Sequence, residues 1–294
     1  MVAQSSLGLA LGGGGVRGGA HIGLLKVLDR EGIQVGPIAG TSAGGLVGGL
    51  YAAGLSGQEI EEFLKSITPA SVLDPDPTGW SLLTAGRFIE LVDKRVGHAR
   101  IEDLPHPFAA VAVDLKNSRQ VFVTSGPLAT AIQATIAVPG LLCPVEQDGC
   151  LLVDGGVLNN VPVDAARALG AHRVLAVDVG TPSEFPLDVP AFGLPPGRLP
   201  RLLDRFLVLT GRQRVALAVN KSIAMLTAEL TAHRLREDPP DLLLCPNLGP
   251  MAVMDFDRLP EAIAAGERMA EESLPQIREL YASPARRWYR RAQT

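Results

Sequence analysis

The sequence predicts an α/β fold of three layers, α/β/α, in which helices cover both faces of a mainly parallel central sheet. Two observations support this prediction. Short apolar runs alternate with segments of helical periodicity, which is the pattern of parallel strands joined by crossover helices. Glycine-rich turns at 12–15 and 40–45 follow the first two apolar runs, where strands would pass into helices. With 294 residues, 47% of them apolar, the chain can bury the core of one large domain.

The first 170 residues supply most of the predicted sheet. Apolar runs bounded by glycine or proline predict strands, and apolar residues at helical spacing predict helices. The predicted strands are 7–11, 35–39, 108–115 and 120–124, followed by a hairpin of 145–146 and 150–153. The predicted helices are 18–31, 46–53, 58–66, 88–96 and 127–138, with a further helix beginning near Pro162. Three prolines between 68 and 80 predict a loop.

The remaining residues complete the same predicted domain. A strand at 174–179 precedes a Pro-rich loop at 181–200, and the part from 201 to 282 is mostly helical. Within that part the patterns predict a helix at 202–235, a strand at 241–245 and a helix at 259–281. Because no internal repeat and no second core is visible, residues 1–294 are predicted to form a single domain. Segments 68–87 and 181–200 are candidate lids.

Composition excludes several classes of protein. The net charge is −4 and no basic block precedes residue 286, which argues against nucleic acid as a partner. Three cysteines fit a reducing compartment better than a disulfide framework, and no C-x-x-C or histidine spacing suggests a metal site. The N-terminus has no signal-peptide pattern, and no apolar run reaches the roughly 18 residues of a membrane span. We therefore predict a cytoplasmic protein without metal or cofactor, with at most peripheral membrane contact.

The first motif is the glycine run, which contains G-x-G-x-x-G at Gly13, Gly15 and Gly18. A tight strand-to-helix turn explains it without any function. A dinucleotide-binding fold would need an acidic residue about 20 positions on, but the second strand leads into Gly40 and Thr41 without a carboxylate. No Lys-Ser/Thr pair follows, so it is not a Walker loop. The remaining functional interpretation is that the glycine run leaves free backbone amides at a helix N-terminus, where they would stabilise an anion.

The second motif, "GTSAG" at 40–44, is a G-x-S-x-G sequence between a strand and a helix. In a nucleophile elbow the serine occupies a strained turn and exposes its hydroxyl at the edge of the sheet. Ser42 is therefore the candidate nucleophile. The alternative is that Ser42 merely caps the following helix.

The third motif, "LLVDGG" at 151–156, places Asp154 at the end of a strand, and its alternative is an ordinary Asp-Gly turn. His172 and His233 follow Asp154 in the chain, so residue order alone permits a Ser-His-Asp triad. His172 instead enters a strand at the edge opposite the strand C-termini, and His233 lies at a polar helix end. We therefore predict a Ser42–Asp154 dyad. His21, one turn into the first helix, is expected at the surface or in a capping role.

Together "GGGGVRGGAHIGLL", "GTSAGG" and "DGGVLNNVPV" resemble the bacterial branch of the patatin-like phospholipases. The resemblance covers about residues 7–180, including "ATIAVPG" at 134–140, where Thr135 occupies a position at which the family often has serine. It implies Ser42 as nucleophile, Asp154 as general base and Gly13, Gly14 and Gly15 as oxyanion-hole donors. Arg17, Gly18, Gly40, Gly44, Gly155 and Gly156 would be supporting motif residues.

The resemblance also implies an enzyme class and a substrate class. The enzyme would be a serine acyl hydrolase that cleaves carboxylic esters of phospholipids or lysophospholipids through an acyl-enzyme, without a cofactor. The residues by themselves support ester hydrolysis and leave the oligomeric state open. Two alternatives remain, a regulatory or binding protein that uses the same fold, and nucleotide binding by the glycine loop.

Overall fold

The structure, a computed structural model, describes residues 7–180 and 213–282. The Pro-rich segment 181–200, the first part of the helix predicted at 202–235 and the basic block that begins at 286 lie outside these residues. The described residues include every predicted site residue. The assignment of 1–294 to a single domain stays a prediction.

Eight of the ten strands in the described residues form one central sheet, in the order β10-β9-β1-β2-β5-β8-β7, with β6 also paired to β5. Strands β3 and β4 form a small separate hairpin. The strands are β1 (Leu7–Leu11), β2 (Ile38–Thr41), β3 (Asp74–Pro75), β4 (Leu83–Thr84), β5 (Phe108–Asp114), β6 (Arg119–Val123), β7 (Val145–Gln147), β8 (Cys150–Asp154), β9 (Arg173–Val177) and β10 (Leu242–Leu244).

The central sheet is mainly parallel, as predicted. Strands β10, β9, β1, β2 and β5 run in one direction, whereas β6 and β8 are antiparallel to β5, and β7 is antiparallel to β8. Strand β1 is buried along its whole length, which explains its uninterrupted apolar character, since a strand covered on both faces has no solvent side.

Helices pack on both faces of this sheet. The helices of the described residues are α1 (Gly19–Arg30), α2 (Ala43–Ala52), α3 (Gly57–Lys65), α4 (Pro69–Val72), α5 (Gly86–Arg95), α6 (Leu128–Thr135), α7 (Val163–Ala168), α8 (Gln213–Glu237), α9 (Leu259–Glu272) and α10 (Leu274–Ala282). Leu9 and Leu11 of β1 belong to a large core that includes α1, α2, α6 and α9. Ala10 points to a smaller core with α7. The alternation confirms the three-layer α/β/α architecture.

Several predicted elements differ from the structure, and proline explains two of the differences. The helix predicted at 46–53 begins at Ala43, and the helix predicted at 127–138 ends at Thr135. The second strand begins at Ile38 rather than at residue 35, because Pro37 has no N–H for the strand ladder. The helix predicted over 259–281 is divided at Ser273, because Pro275 cannot donate the next helical hydrogen bond. The loop predicted over 68–80 contains the short elements α4 and β3. In the part of the chain described, no helix has the length and apolarity to cross a membrane.

Candidate active site

Strand β5 brings the predicted nucleophile and the predicted base together. Its residues Val111 and Ala112 pair with Thr41 of β2 and Asp154 of β8, respectively. Both partners lie on the same edge of β5, because β6 occupies the other edge. Strand β2 runs parallel to β5 and β8 runs antiparallel, so the C-terminal ends of β2 and β8 face each other. Ser42, which directly follows β2, therefore meets Asp154.

The turn at residues 40–44, here the Ser42 turn, is strained at its central residue. Ser42 has φ 53° and ψ −121°, and residues other than glycine rarely adopt such a positive φ. A side chain at Gly44 would overlap the carbonyl of Leu11, so this motif position requires glycine. Gly40 pairs with Leu11 at the end of β2. Ser42 occupies the N-cap position of α2, but its side chain makes no capping hydrogen bond, so the capping interpretation is wrong.

Asp154 is a buried carboxylate with an unusually weak acidity. Burial raises its pKa to about 6, and hydrogen bonds from the Ser42 side chain and the Gly156 amide oppose the rise. The Gly156 N–H donates to Asp154 Oδ1 at 2.7 Å, and Gly155 packs against the carbonyl of Val111. At neutral pH this carboxylate is ionised but remains a stronger base than a solvated aspartate. Asp154 can therefore accept a proton from Ser42.

The glycine loop, residues 12–18, lies beside the Ser42 turn. A Cβ atom on Gly13 would lie 3.0 Å from Ser42 Cβ. The Gly13 amide donates to the Asn160 carbonyl at 3.1 Å, so it is already used, contrary to its predicted role as an oxyanion donor. Within residues 7–180 and 213–282, the amides of Gly14 and Gly15 have no protein acceptor. Two of the three predicted donors are thus free to bind an anion.

Arg17 supports the glycine loop from inside the protein. Its buried guanidinium donates to the carbonyls of Val179, Gly180 and Met251 at 2.8, 3.0 and 3.1 Å. Gly18 packs against Ala43 of the Ser42 turn. Because all three guanidinium contacts are structural, Arg17 is placed to hold the loop rather than to touch a substrate.

His21 is fully buried, so its predicted surface position is wrong. Its Nε2 lies 2.7 Å from the Gly12 carbonyl, and since a carbonyl only accepts, Nε2 must carry the proton. Burial lowers the pKa of His21 to about 4. A neutral imidazole therefore anchors the first residue of the glycine loop.

Thr135 and Asn160 are further site residues whose contacts sequence reasoning missed. The Ser42 amide donates to Thr135 Oγ1 at 2.9 Å, and Asn160 Nδ2 donates to the Gly13 carbonyl at 3.2 Å. Both residues lie in segments that carry the family resemblance, Thr135 in "ATIAVPG" and Asn160 in "DGGVLNNVPV". The sequence alone does not show which backbone groups their side chains bind.

The remaining predictions concern histidine, cysteine and metal. All five histidines lie in the described residues, and none hydrogen-bonds Asp154, for which Ser42 and Gly156 are the partners. His172 is exposed and precedes β9 at the opposite edge of the sheet, and His233 is exposed on α8. The three cysteines are free, and no group of possible metal ligands is found among the residues described.

Comparisons with known proteins agree with this architecture. A sequence model of the patatin-like phospholipase family matches residues 9–167. An NTE family protein of Mycobacterium tuberculosis is 41% identical over 174 residues, covering 58% of this chain and 48% of that protein. The human patatin-like phospholipase domain-containing protein 6 is 38% identical over 191 residues, 62% of this chain and 14% of its own length.

The comparisons also show how much of the relatives this chain represents. A second NTE family protein of Mycobacterium tuberculosis is 33% identical over 281 residues, covering 93% of this chain and 47% of that protein. The chain thus spans about half the length or less of these relatives. The crystal structure of VipD from Legionella pneumophila shares the fold, with a TM-score of 0.57 and 14% identity over 95% of this chain and 68% of that one. From the family match and the shared fold, the chain belongs to the patatin-like phospholipase family.

Proposed function

We propose that this protein is a serine acyl hydrolase that cleaves carboxylic ester bonds of lipids with a Ser42–Asp154 dyad. The observation that carries the proposal is a serine in a strained turn next to a buried carboxylate: burial raises the pKa of Asp154 to about 6, and the Ser42 side chain opposes that rise. A serine hydroxyl is a weak nucleophile and needs such a base. No histidine is required, because Asp154 itself is basic enough to accept the proton.

In the proposed reaction Ser42 Oγ attacks the ester carbonyl while Asp154 takes its proton. The carbonyl oxygen becomes an oxyanion, which accepts hydrogen bonds from the free amides of Gly14 and Gly15. One donor of this kind typically contributes about 2.7–4 kcal/mol to the transition state. Asp154 then protonates the departing alcohol, and the acyl group remains on Ser42. A water molecule then gives a proton to Asp154 and attacks the acyl carbonyl; as the bond to Ser42 breaks, Asp154 returns that proton to Ser42 Oγ and the fatty acid leaves.

Family membership supports a lipid ester, either a phospholipid or a lysophospholipid, as the substrate. Exposed apolar side chains near the site support the same class, since Val157 directly follows the Asp-Gly-Gly motif and is 43% exposed. In segment 68–87, Trp80 and Leu82 are exposed, and the Leu82 amide donates to the Gly140 carbonyl at 3.1 Å. That contact anchors the segment beside the 134–140 motif, so we propose it as part of an acyl-chain site.

Covalent labelling tests the dyad directly. Intact-mass spectrometry after a fluorophosphonate probe should show one adduct on the wild type, none on Ser42→Ala and much slower labelling of Asp154→Asn. Ser118→Ala is a matched control, because Ser118 also has a positive φ of 52° but lies in the β5–β6 turn. Asp178→Asn is the control for Asp154, because burial also raises the pKa of Asp178.

Lipid hydrolysis by the same variants separates the chemistry from the substrate class. Release of fatty acid from phospholipid or lysophospholipid vesicles, lost in Ser42→Ala, would support the proposal. Full activity in Ser42→Ala would contradict it. Labelling of Ser42 with hydrolysis of short-chain esters alone would keep the dyad and exclude a lipid substrate.

A further inference from the structure

The amide of the proposed nucleophile is bound by a side chain from another helix. Ser42 N–H donates to Thr135 Oγ1 at 2.9 Å, and Thr135 Oγ1 donates in turn to the Val111 carbonyl at 2.5 Å. Thr135 is fully buried at the last residue of α6. Because Val111 O can only accept, the hydroxyl proton points to Val111 and a lone pair is left for Ser42.

This contact acts on the most strained residue of the site. A non-glycine residue in a rare backbone conformation is strained, and it persists only when surrounding contacts hold it. The Ser42 carbonyl is held by the first turn of α2, where the Leu46 amide donates to it at 3.0 Å. Thr135 holds the other side of the residue, at its amide. The two contacts together fix the direction in which the Ser42 side chain leaves the turn.

Val111 connects this contact to the proposed base. It pairs with Thr41, which precedes Ser42, and its carbonyl also packs against Gly155, which follows Asp154. Thr135 is therefore bonded to a residue of β5 that contacts both the residue before Ser42 and the residue after Asp154. A shift of Ser42 away from Thr135 would change the distance between Ser42 Oγ and the Asp154 carboxylate.

We infer that Thr135 is a positioning residue that holds the Ser42 turn in register with Asp154, an assignment that rests on the proposed function. Its two functional groups have separate tasks. The hydroxyl binds Ser42 and Val111, whereas the methyl group packs closely against Gly45 of α2. Valine keeps the methyl contact and loses the hydroxyl, and serine does the reverse, so the pair of substitutions separates hydrogen bonding from packing.

The experiment compares Thr135→Val and Thr135→Ser with the wild type by steady-state kinetics on a soluble ester and by fluorophosphonate labelling. Misplacing a reacting group by about 1 Å can lower a rate by about 100-fold. We expect Thr135→Val to lower kcat and the labelling rate in parallel by about 10- to 100-fold, with KM changed less than about threefold. Thr135→Ser should recover most of both rates. The pH midpoint of kcat/KM should stay where Asp154 places it, since only geometry changes.

Thr231→Val is the matched control. Thr231 is also buried, and its hydroxyl also donates to a backbone carbonyl, that of Thr227 at 2.7 Å in α8. The fall in Tm of this variant measures what one buried threonine hydroxyl contributes to stability alone. Loss of rate in Thr135→Val with a Tm no lower than that of Thr231→Val would support the positioning role. Should Thr135→Val fail to fold, Thr135→Ser and Thr135→Ala provide the same comparison of hydroxyl present and absent.

Two outcomes overturn the assignment, and they differ from failure of the proposed function. Equal rates for folded Thr135→Val and wild type would show that the hydroxyl does not position Ser42. A loss that Thr135→Ser does not recover would assign the effect to packing. An absence of labelling on folded wild-type protein would instead remove the Ser42–Asp154 mechanism, and this assignment with it.

Discussion

The glycine loop and the Ser42 turn follow neighbouring parallel strands, yet they are held in opposite ways. In the turn the amide of the central residue is bound, by Thr135. In the loop the amides of Gly14 and Gly15 have no protein acceptor among the described residues. Gly14 and Gly15 must therefore be held by other groups of the loop, its carbonyls among them, because an amide that is to bind an anion cannot also bind the protein.

The loop carbonyls meet this requirement. His21, Asn160 Nδ2 and the Arg17 amide bind the carbonyls of Gly12, Gly13 and Gly14. The loop also draws on distant parts of the chain, since the Val16 amide donates to the Val253 carbonyl at 2.8 Å. Val253 lies beyond the residues 9–167 that match the family model, whereas Thr135 lies within them. The difference suggests that the turn is built by the family motifs alone and that the loop also needs the C-terminal part.

The largest expected effect comes from filling the loop. Gly15 has φ 58°, and a side chain there would overlap the carbonyl of Val253. Gly15→Ala should displace the neighbouring amides and lower kcat by about 100- to 1,000-fold, the range seen when one oxyanion donor is lost. Gly32→Ala is the matched control, because Gly32 has φ 65° with nothing within 4 Å of the added Cβ. Equal kcat in the two variants would contradict an oxyanion role for the loop.

The second prediction concerns stability and the buried histidine. The pKa of His21 is about 4, against 6.5 for an ordinary histidine, because burial disfavours the cation. As the pH falls from 6.5 to 4 the unfolded chain gains a proton there that the folded chain does not, so stability is lost. His21→Gln removes this loss, so the stability advantage of the wild type over the variant should shrink by about 2 kcal/mol between pH 7 and 5.

Urea unfolding of both proteins at the two pH values measures this change. Comparing them as a difference cancels the other titrating groups, including Asp154, whose raised pKa acts in the opposite direction. For Asp154 the folded chain gains the proton first, so acid between pH 6 and 4 adds stability. His172→Gln, at an exposed histidine, sets the baseline for the substitution. A wild-type advantage that does not change with pH would show that His21 is not held neutral.

A smaller effect is expected in the pH dependence of activity, and it concerns the turn. Asp154 must be ionised to accept the proton of Ser42, so kcat/KM should rise with pH and level off above a midpoint near 6. Below the midpoint the rate should fall about tenfold per pH unit. Asp178→Asn should leave the midpoint unchanged, although desolvation also raises the pKa of Asp178. A midpoint near 4 would mean that Asp154 is solvated when the enzyme works.

Local patterns in the sequence account for the turn better than for the loop. The strand, G-x-S-x-G and helix pattern predicted the Ser42 turn, because the close approach of Gly44 to the Leu11 carbonyl is a requirement of the turn itself. The surface prediction for His21 was wrong because α1 is covered on a second side by α9. Gly23 packs against the Ile263 carbonyl, in a contact between residues 240 positions apart. No local periodicity contains such a contact.

Contacts between residues far apart in the sequence also explain why one of the three predicted oxyanion donors was wrong. The glycine run indicated that several amides were available, but the Gly13 amide is bound by the carbonyl of Asn160, about 150 residues later. Only the folded arrangement distinguishes Gly13 from Gly14 and Gly15. Likewise, the three carbonyls bound by Arg17 belong to segments that the family resemblance did not place beside the loop.

The smallest effect is expected from Arg234→Met, a substitution that tests whether the Ser42 turn is independent of the C-terminal helix α8. Arg234 of α8 binds Asp164 Oδ2 at 2.8 Å, and Asp164 accepts from Asn159, whose carbonyl accepts from Thr41 at 2.8 Å. This chain of contacts reaches the residue before Ser42. The arginine pair is about a third exposed, so Arg234→Met should lower the free energy of unfolding by less than about 1 kcal/mol.

We expect kcat of Arg234→Met to stay within about twofold of the wild type, because the Asn159 amide is bound independently by the Gly155 carbonyl at 2.8 Å. Asn159 therefore keeps its place when Arg234 is removed, and Thr41 keeps its acceptor. A tenfold loss of kcat in Arg234→Met without loss of stability would contradict the independence of the Ser42 turn from the C-terminal part. The Ser42 turn would then depend on the C-terminal part of the chain as strongly as the glycine loop does, through a side-chain network instead of backbone carbonyls.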